Sequence, residues 1–162
     1  MNTASPPRDA IRFRPSTPDD VSFLRYLYGT TREDELLSLP WTSEEKAAFL
    51  DSQFSAQKRH YEEFYSEGEF LVIELEGERI GRLYIDRGET HVEIVDIALL
   101  PHHRGRGIGR MLLEEIIEEG RTSGRKVRIY VEHNNPARHL YDRLAFHHID
   151  TNGVYHLMEW TP

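Results

Sequence analysis

At 162 residues, 38% of them hydrophobic and 30% charged, the chain has the size and balance of one globular domain. A formal net charge of −8 argues against a nucleic-acid binder, which needs Lys and Arg spread over a broad face, and no apolar run approaches the ~18 residues of a membrane helix. The absence of cysteine removes disulfides, thiolate metal sites and any mechanism that parks an acyl group on a protein thiol.

Residues 1–10 have no apolar core and read as a loose N-terminal tail rather than a signal peptide, which places the chain in the cytoplasm and leaves residues 11–162 as a single domain. Ile11 to Arg14 alternates apolar and basic residues like a half-buried strand, ended by Pro15. Thr17 then caps a helix expected over residues 18–28, with Pro18 in its first turn, Val21, Leu24, Leu27 and Tyr28 on one face, and Gly29 as its stop. Residues 30–41 show no clear period and read as a loop or broken helix. Their Glu33, Asp34 and Glu35 are expected as a solvated acidic turn.

The run Thr42-Ser43-Glu44-Glu45 is a capping box that opens a long helix to about Tyr65, with Ala47, Leu50, Phe54, Tyr61 and Phe64 at helical spacing and Gly68 closing it. Three strands follow, Glu69 to Leu75, Arg79 to Asp86 and His91 to Leu99, and their short links imply an antiparallel meander.

After the last of these strands Gly105, Gly107 and Gly109 precede a helical pattern of Ile108, Leu112, Leu113, Ile116 and Ile117. Glycine tolerates positive φ and has no Cβ, so successive backbone N–H groups can converge on one anion at the positive end of the helix dipole. Arg104, Arg106 and Arg110 flank that turn, which suits phosphate. A Walker loop is excluded because Gly109 is followed by Arg110 and Met111, and the dinucleotide fingerprint fails because Arg110 stands at its last glycine.

Val127 to Val131 should run parallel to the third meander strand. Asn135 and Pro136 open a helix carrying Ala137, Leu140, Tyr141 and Leu144, and residues 146–149 and 154–160 close the chain as a hairpin around a turn at 151–153. The class is α/β (α+β), a mixed, mostly antiparallel sheet of six to seven strands flanked by about four helices. The adjacent pairs His102-His103 and His147-His148 should point apart as surface residues, and no metal-ligand spacing is present.

The motif Arg104-x-x-Gly107-x-Gly109 resembles the coenzyme A pyrophosphate loop of the GNAT superfamily of N-acetyltransferases, and the element order β-α-α-β-β-β-α-β-α-β-β is similar to that fold. A second match is Asn134-x-x-Ala137-x-x-Leu140-Tyr141 followed by Phe146, with Ala145 where the family usually has glycine, so the tight turn there is expected to differ slightly. The resemblance implies that strands of the meander and the fifth strand splay apart, with the pantetheine arm of acetyl-CoA against the backbone of Ile97, Ala98 and Leu99. It places the pyrophosphate on the turn formed by Arg104, Gly105, Arg106, Gly107, Ile108, Gly109 and Arg110, and puts Asn134 and Tyr141 on the other wall.

The chemistry implied is acetyl transfer to a primary amine of a small molecule, direct and within a ternary complex, with acetyl-CoA as co-substrate and no metal. Such an amine is almost entirely protonated at pH 7 and needs a base or a water chain. Glu93 matches the position where some family members carry a glutamate base; Asp96, placed on the opposite face by strand alternation, is the alternative. Tyr141 is the candidate acid for the departing thiolate, since its phenol lies close to a thiol in pKa, and a backbone N–H near Leu99 would polarise the thioester.

The segment Arg32 to Trp41 lies where the family builds its acceptor pocket, closed by Tyr28 and Trp41 if the acceptor is small, and reception of a cationic amine by Glu33, Asp34 and Glu35 is the alternative to a solvated acidic turn. Two alternatives stay open, a protein or peptide amine as acceptor and a non-catalytic acyl-CoA-binding regulatory domain. The expected partners are acetyl-CoA and the amine, without nucleic acid or membrane, and homodimer assembly is left open.

Overall fold

The computed structural model describes residues 4–162; positions 1–3 of the expected tail lie outside the described residues. The apolar runs form strands β1 (Ile11–Pro15), β2 (Glu69–Leu75), β3 (Glu78–Arg87), β4 (His91–Leu99), β5 (Lys126–Glu132), β6 (His147–Asn152) and β7 (Tyr155–Trp160). The helical patterns form α1 (Val21–Leu37), α2 (Ser43–Phe64), α3 (Ile108–Ser123) and α4 (Arg138–Arg143).

One seven-stranded sheet results, in the order β1-β2-β3-β4-β5-β7-β6. Its pairs are antiparallel except β4 with β5, which α3 joins as a crossover. The closing hairpin folds back so that β7, the last strand in sequence, lies beside β5. Its turn falls at Gly153 and Val154, one residue later than the sequence suggests, because Asn152 still pairs with Tyr155 and Gly153 supplies the positive φ of 62°.

One face of α3, carrying Ile108, Leu112, Leu113, Ile116 and Ile117, buries itself with Val92, Ile94, Val127 and Ile129 in the main core. Helices α1 and α2 cover the other sheet face, where Leu24, Tyr28 and Phe54 form a second, smaller cluster. Among the described residues no helix is long and apolar enough to cross a membrane.

Helix α1 does not stop at Gly29. That glycine faces α2, where an added Cβ would make an ordinary contact with Leu50 Cδ1 at 3.5 Å. The Thr30 and Thr31 hydroxyls donate to the Leu27 and Tyr28 carbonyls inside the helix, and Leu36 buries itself at its end, so the segment expected as a loop is the last half of α1. Glu33, Asp34 and Glu35 lie exposed along it. At the end of α4 the tight turn is retained despite Ala145, which takes the left-handed conformation at φ 69° that glycine adopts without strain.

Asp20 ties the end of β1 to the start of α1 and to β3. It is 1% exposed and accepts two hydrogen bonds at 2.8 Å from Arg14, one at 2.8 Å from the Thr17 N–H and one at 3.3 Å from Arg79. These donors, Arg14 first, hold its carboxyl far below the usual carboxylate range against the opposing effect of burial. A depressed folded-state pKa contributes stability above the unfolded value, near 4, and that contribution is lost as pH falls. Asp20→Asn should therefore destabilise the chain by about 3 kcal/mol at pH 7, or roughly 6–12 °C in melting temperature. The gap between wild type and variant, followed by thermal melts, should close as pH drops from about 5 toward 2.

Candidate functional site

Strands β4 and β5 lie side by side only where His91 to Ile94 meet Lys126 to Ile129. Beyond that point β4 continues with β3 to Leu99, and β5 continues with β7 until Glu132 meets Tyr155. The two strands diverge, and each leaves one backbone edge facing the opening. Ile97, Ala98 and Leu99 lie along the β4 edge, half-buried.

The divergence follows a register shift. Ile85 pairs with Ile94 but Tyr84 pairs with Asp96, so Val95 is an extra residue in β4. Such a bulge bends its strand and re-aims the side chains beyond it. It also corrects the expected placement of Asp96. Simple alternation puts Asp96 on the face opposite Glu93, whereas the extra residue returns Asp96 to the same face. Ile94 and Ile97 both enter the α3 core, Asp96 forms an ion pair with Arg82 below α2, and Glu93 lies against Tyr65, the residue that follows α2.

The glycine turn leads from β4 into α3. Gly105 and Gly107 have φ of 71° and 81°, conformations that a Cβ disfavours. The Met111 N–H donates to the Gly107 carbonyl at 3.0 Å, so the N–H groups of Ile108, Gly109 and Arg110 precede the first intrahelical bond and point out of the 16-residue helix. This is an anion site by geometry and dipole.

The arginine side chains have other partners. Arg104 donates to the Leu99 carbonyl at 2.9 Å and to Thr30 Oγ1 at 3.1 Å, bracing the end of β4 against α1. Arg106 lies 3.1 Å from His103 Nδ1, and Arg110 pairs with Glu114. What the turn offers an anion is therefore backbone first. His102 and His103 lie ring against ring, tilted by 46° with centres 4.2 Å apart, instead of pointing apart. His103 is buried, and that burial, then His102 and Arg106, lowers its pKa.

Ser5, within the expected tail, donates to the Arg106 carbonyl and lies over Gly107, while Arg8 pairs with Glu115 on α3.

Tyr141 reaches the opening from α4. Asn135 Oδ1 accepts the Ala137 N–H at 2.9 Å and starts that helix, and the Phe146 N–H returns to the Tyr141 carbonyl at 3.0 Å. The ring is 4% exposed and packs edge-on against Phe146 at 5.7 Å. Its hydroxyl donates to no protein acceptor among the described residues. Burial first, then the Asp96 carboxylate, raises the phenol above its ordinary range. Asn134, expected beside it, is exposed on the preceding loop.

Glu93 is half-buried, its Oε2 enclosed and without a hydrogen-bond partner among the described residues. Tyr65 stands over it, and burial, then this carboxylate, pushes the Tyr65 phenol up. At the far end of the opening Arg32 of α1 donates to Glu132 of β5 at 3.1 Å and to Glu35 at 3.0 Å, and lies over the Tyr28 ring at 5.6 Å. Tyr28 is buried, whereas Trp41 turns onto Phe49 at 5.3 Å.

Arg82, Gln57 and Arg32 escape the sequence reading. The one available signal is an arginine inside the apolar run Ile80 to Ile85. Together the groups form an opening with two free strand edges, a helix terminus with outward N–H groups, a buried phenol, and two carboxylates on the face covered by α2.

A model of the acetyltransferase (GNAT) family matches residues 32–146. Among curated proteins, the [ribosomal protein bS18]-alanine N-acetyltransferase of Haemophilus influenzae is 31% identical over 64 residues, which cover 39% of this chain and 44% of that protein; the match thus spans less than half of that relative's length. Among solved structures, the PaiA N-acetyltransferase of Thermoplasma acidophilum in complex with coenzyme A aligns with a TM-score of 0.69 at 21% identity, over 94% of this chain and 99% of that one. An acetyltransferase of Thermus thermophilus gives 0.66 at 19% identity with full coverage of both chains. An acetyltransferase of Elizabethkingia anophelis with acetyl-CoA bound gives 0.60 at 19% identity, over 95% and 99%.

Because the Tyr141 hydroxyl has no protein acceptor to strand, Tyr141→Phe should keep the melting temperature within about 2 °C of the parent. A fall of about 4 °C or more by calorimetry would mean that the hydroxyl holds the core together.

Proposed function

The chain belongs to the GNAT family of acetyltransferases, a family of acyltransferase enzymes, and from that premise we propose that it moves the acetyl group of acetyl-CoA to a primary amine of a small molecule, directly and in a ternary complex. The observation that carries this reading is the divergence of β4 and β5 immediately before a glycine turn whose N–H groups open α3. The free edge of β4 at Ile97, Ala98 and Leu99 suits the amides of the pantetheine arm. The turn from Arg104 through Gly105, Arg106, Gly107, Ile108 and Gly109 to Arg110 suits the pyrophosphate.

In this reading Glu93 or Asp96, directly or through water, takes the proton of the ammonium so that the free amine can attack the thioester carbonyl. Both carboxylates stand on the face covered by α2, which makes that face the side of acceptor approach. Tyr141 gives a hydrogen bond or a proton to the departing sulfur; because burial raises the phenol further above a thiol, the hydrogen bond is the less demanding of the two roles. The exposed position of Asn134 leaves it a part at the mouth of the opening.

A protein or peptide amine as acceptor is the second reading. It is favoured by the name of the Haemophilus relative and by Trp41, which packs on Phe49 instead of closing over the region beside α1. Turnover of purified protein with acetyl-CoA against panels of small amines, amino acids and peptides separates the two, and absence of turnover with all of them supports the non-catalytic alternative.

Gly107 is strained for any other residue, but Gly109 has no positive φ, and a Cβ added there would meet no atom within 4 Å. Gly109→Glu should therefore fold normally and place a carboxylate where phosphate should sit, lowering acetyl-CoA affinity at least ~100-fold, about 2.7 kcal/mol, by calorimetric titration. Unchanged affinity would move the cofactor site elsewhere. For the base, Glu93→Gln and Asp96→Asn are compared across a pH–rate profile. The residue that takes the proton is the one whose loss slows turnover most at pH 7 and least as pH rises toward the amine's own pKa.

A further inference from the structure

A glycine inside a strand weakens it and marks a bulge or a close approach of backbone. Gly81 lies buried within β3, and both conditions hold around it. Against β2, Ile73 pairs with Gly81 and Glu74 with Arg79, so Ile80 is an extra residue in β3. Against β4, Gly81 pairs with Leu99, beyond the Val95 bulge. A Cβ added to Gly81 would overlap the Ala98 carbonyl oxygen and lie 2.9 Å from Leu99 Cδ2 and 3.2 Å from Leu99 Cα. Two of those three atoms are backbone, which cannot swing aside as a side chain would.

The backbone approached so closely is the edge assigned above to the pantetheine arm. The Leu100 N–H donates to the Ile80 carbonyl at 2.8 Å. Hydrogen-bonded and non-hydrogen-bonded pairs alternate along an antiparallel ladder, so Gly81 and Leu99 form a pair of the second, closer kind. Leu99 therefore turns its own N–H and carbonyl away from β3, and from that side Arg104 donates to the carbonyl at 2.9 Å. Ala98 turns the other way, its carbonyl toward β3. A side chain at Gly81 would press on the inner side of the strand whose outer side borders the opening.

We infer that Gly81 is a positioning residue for the cofactor: lacking a Cβ, it lets the end of β4 lie close against β3, and this sets the width left between the Leu99 edge and β5. The inference rests on the acetyl-CoA reading above. The glycine turn is carried by α3, which the main core holds through Ile108, Leu112 and Leu113, so a Cβ at Gly81 acts on the pantetheine arm and spares the pyrophosphate.

The test is calorimetric titration with acetyl-CoA and with 3′-phospho-ADP, the portion of coenzyme A that keeps the pyrophosphate and lacks the pantetheine arm. Gly81→Ala should lower acetyl-CoA affinity at least ~10-fold and leave 3′-phospho-ADP within twofold of the parent. Gly120→Ala is the control. Its Cβ would meet the Arg125 carbonyl oxygen at 2.8 Å and Trp160 Cζ3 at 3.1 Å, comparable crowding at the far end of α3, and it should lower the melting temperature without separating the two ligands. Leu100→Pro repeats the push where φ is already −57° and suits proline. Its ring takes the place of the N–H bonded to Ile80, and acetyl-CoA alone should weaken at least ~3-fold; this variant decides the matter if Gly81→Ala does not fold. The inference is overturned if Gly81→Ala binds acetyl-CoA as the parent does, if both ligands weaken alike, if Gly120→Ala gives the same separation, or if neither Gly81→Ala nor Leu100→Pro folds, which assigns Gly81 to stability alone. A parent chain that does not bind acetyl-CoA sinks the reading of the site and this inference with it, whereas binding that Gly81→Ala leaves intact sinks the inference alone.

Discussion

The extra residue in β4 is the constraint on which the site depends. Once Val95 is inserted against β3, β4 bends to stay with β3, while β5 is held by β7 from Val127 to Glu132. A strand cannot keep both neighbours through such a bend, so the parallel ladder ends at Ile94 and Ile129 and two backbone edges are left open. An exposed edge is ordinarily a liability in a sheet. Here it faces inward beside a helix terminus, and the residues from Leu100 to Arg104 carry the chain from one to the other.

The same bulge brings the polar groups together. It sets Glu93 and Asp96 on one face and lets Asp96 meet both Arg82 and the surroundings of Tyr141. A buried ion pair is poor evidence for added stability, since desolvation opposes its attraction. Its consequence here is positional, because Arg82, Gln57 and Asp96 fix β3, α2 and β4 relative to one another. Arg104 does the same on the other side, joining Leu99 to Thr30. With that arginine engaged, the charge that meets an anion at the turn comes from the helix terminus and its N–H groups.

The sequence made the element types, the meander, the parallel return through α3 and the glycine turn readable, because each rests on short-range pattern: alternation, helical period, caps and glycine spacing. Where the reading failed, longer contacts decided. Gly29 and the threonines after it looked like a stop, but packing against Leu50 and the hydroxyl bonds within α1 carried the helix to Leu37. The His102-His103 pair looked like surface; His102 is exposed, but His103 is buried with the two rings tilted against each other.

For the site, the sequence by itself named the candidates: the glycines that tolerate positive φ, the tyrosine one turn into α4, and the acids of β4. Only the tertiary structure decided where those acids point and which partners the arginines take. The reason is that a bulge is a mismatch in register between two strands, and the partner of a long side chain is fixed by whatever folds within its reach. Neither quantity is a property of a local stretch of chain, so neither can be read from one.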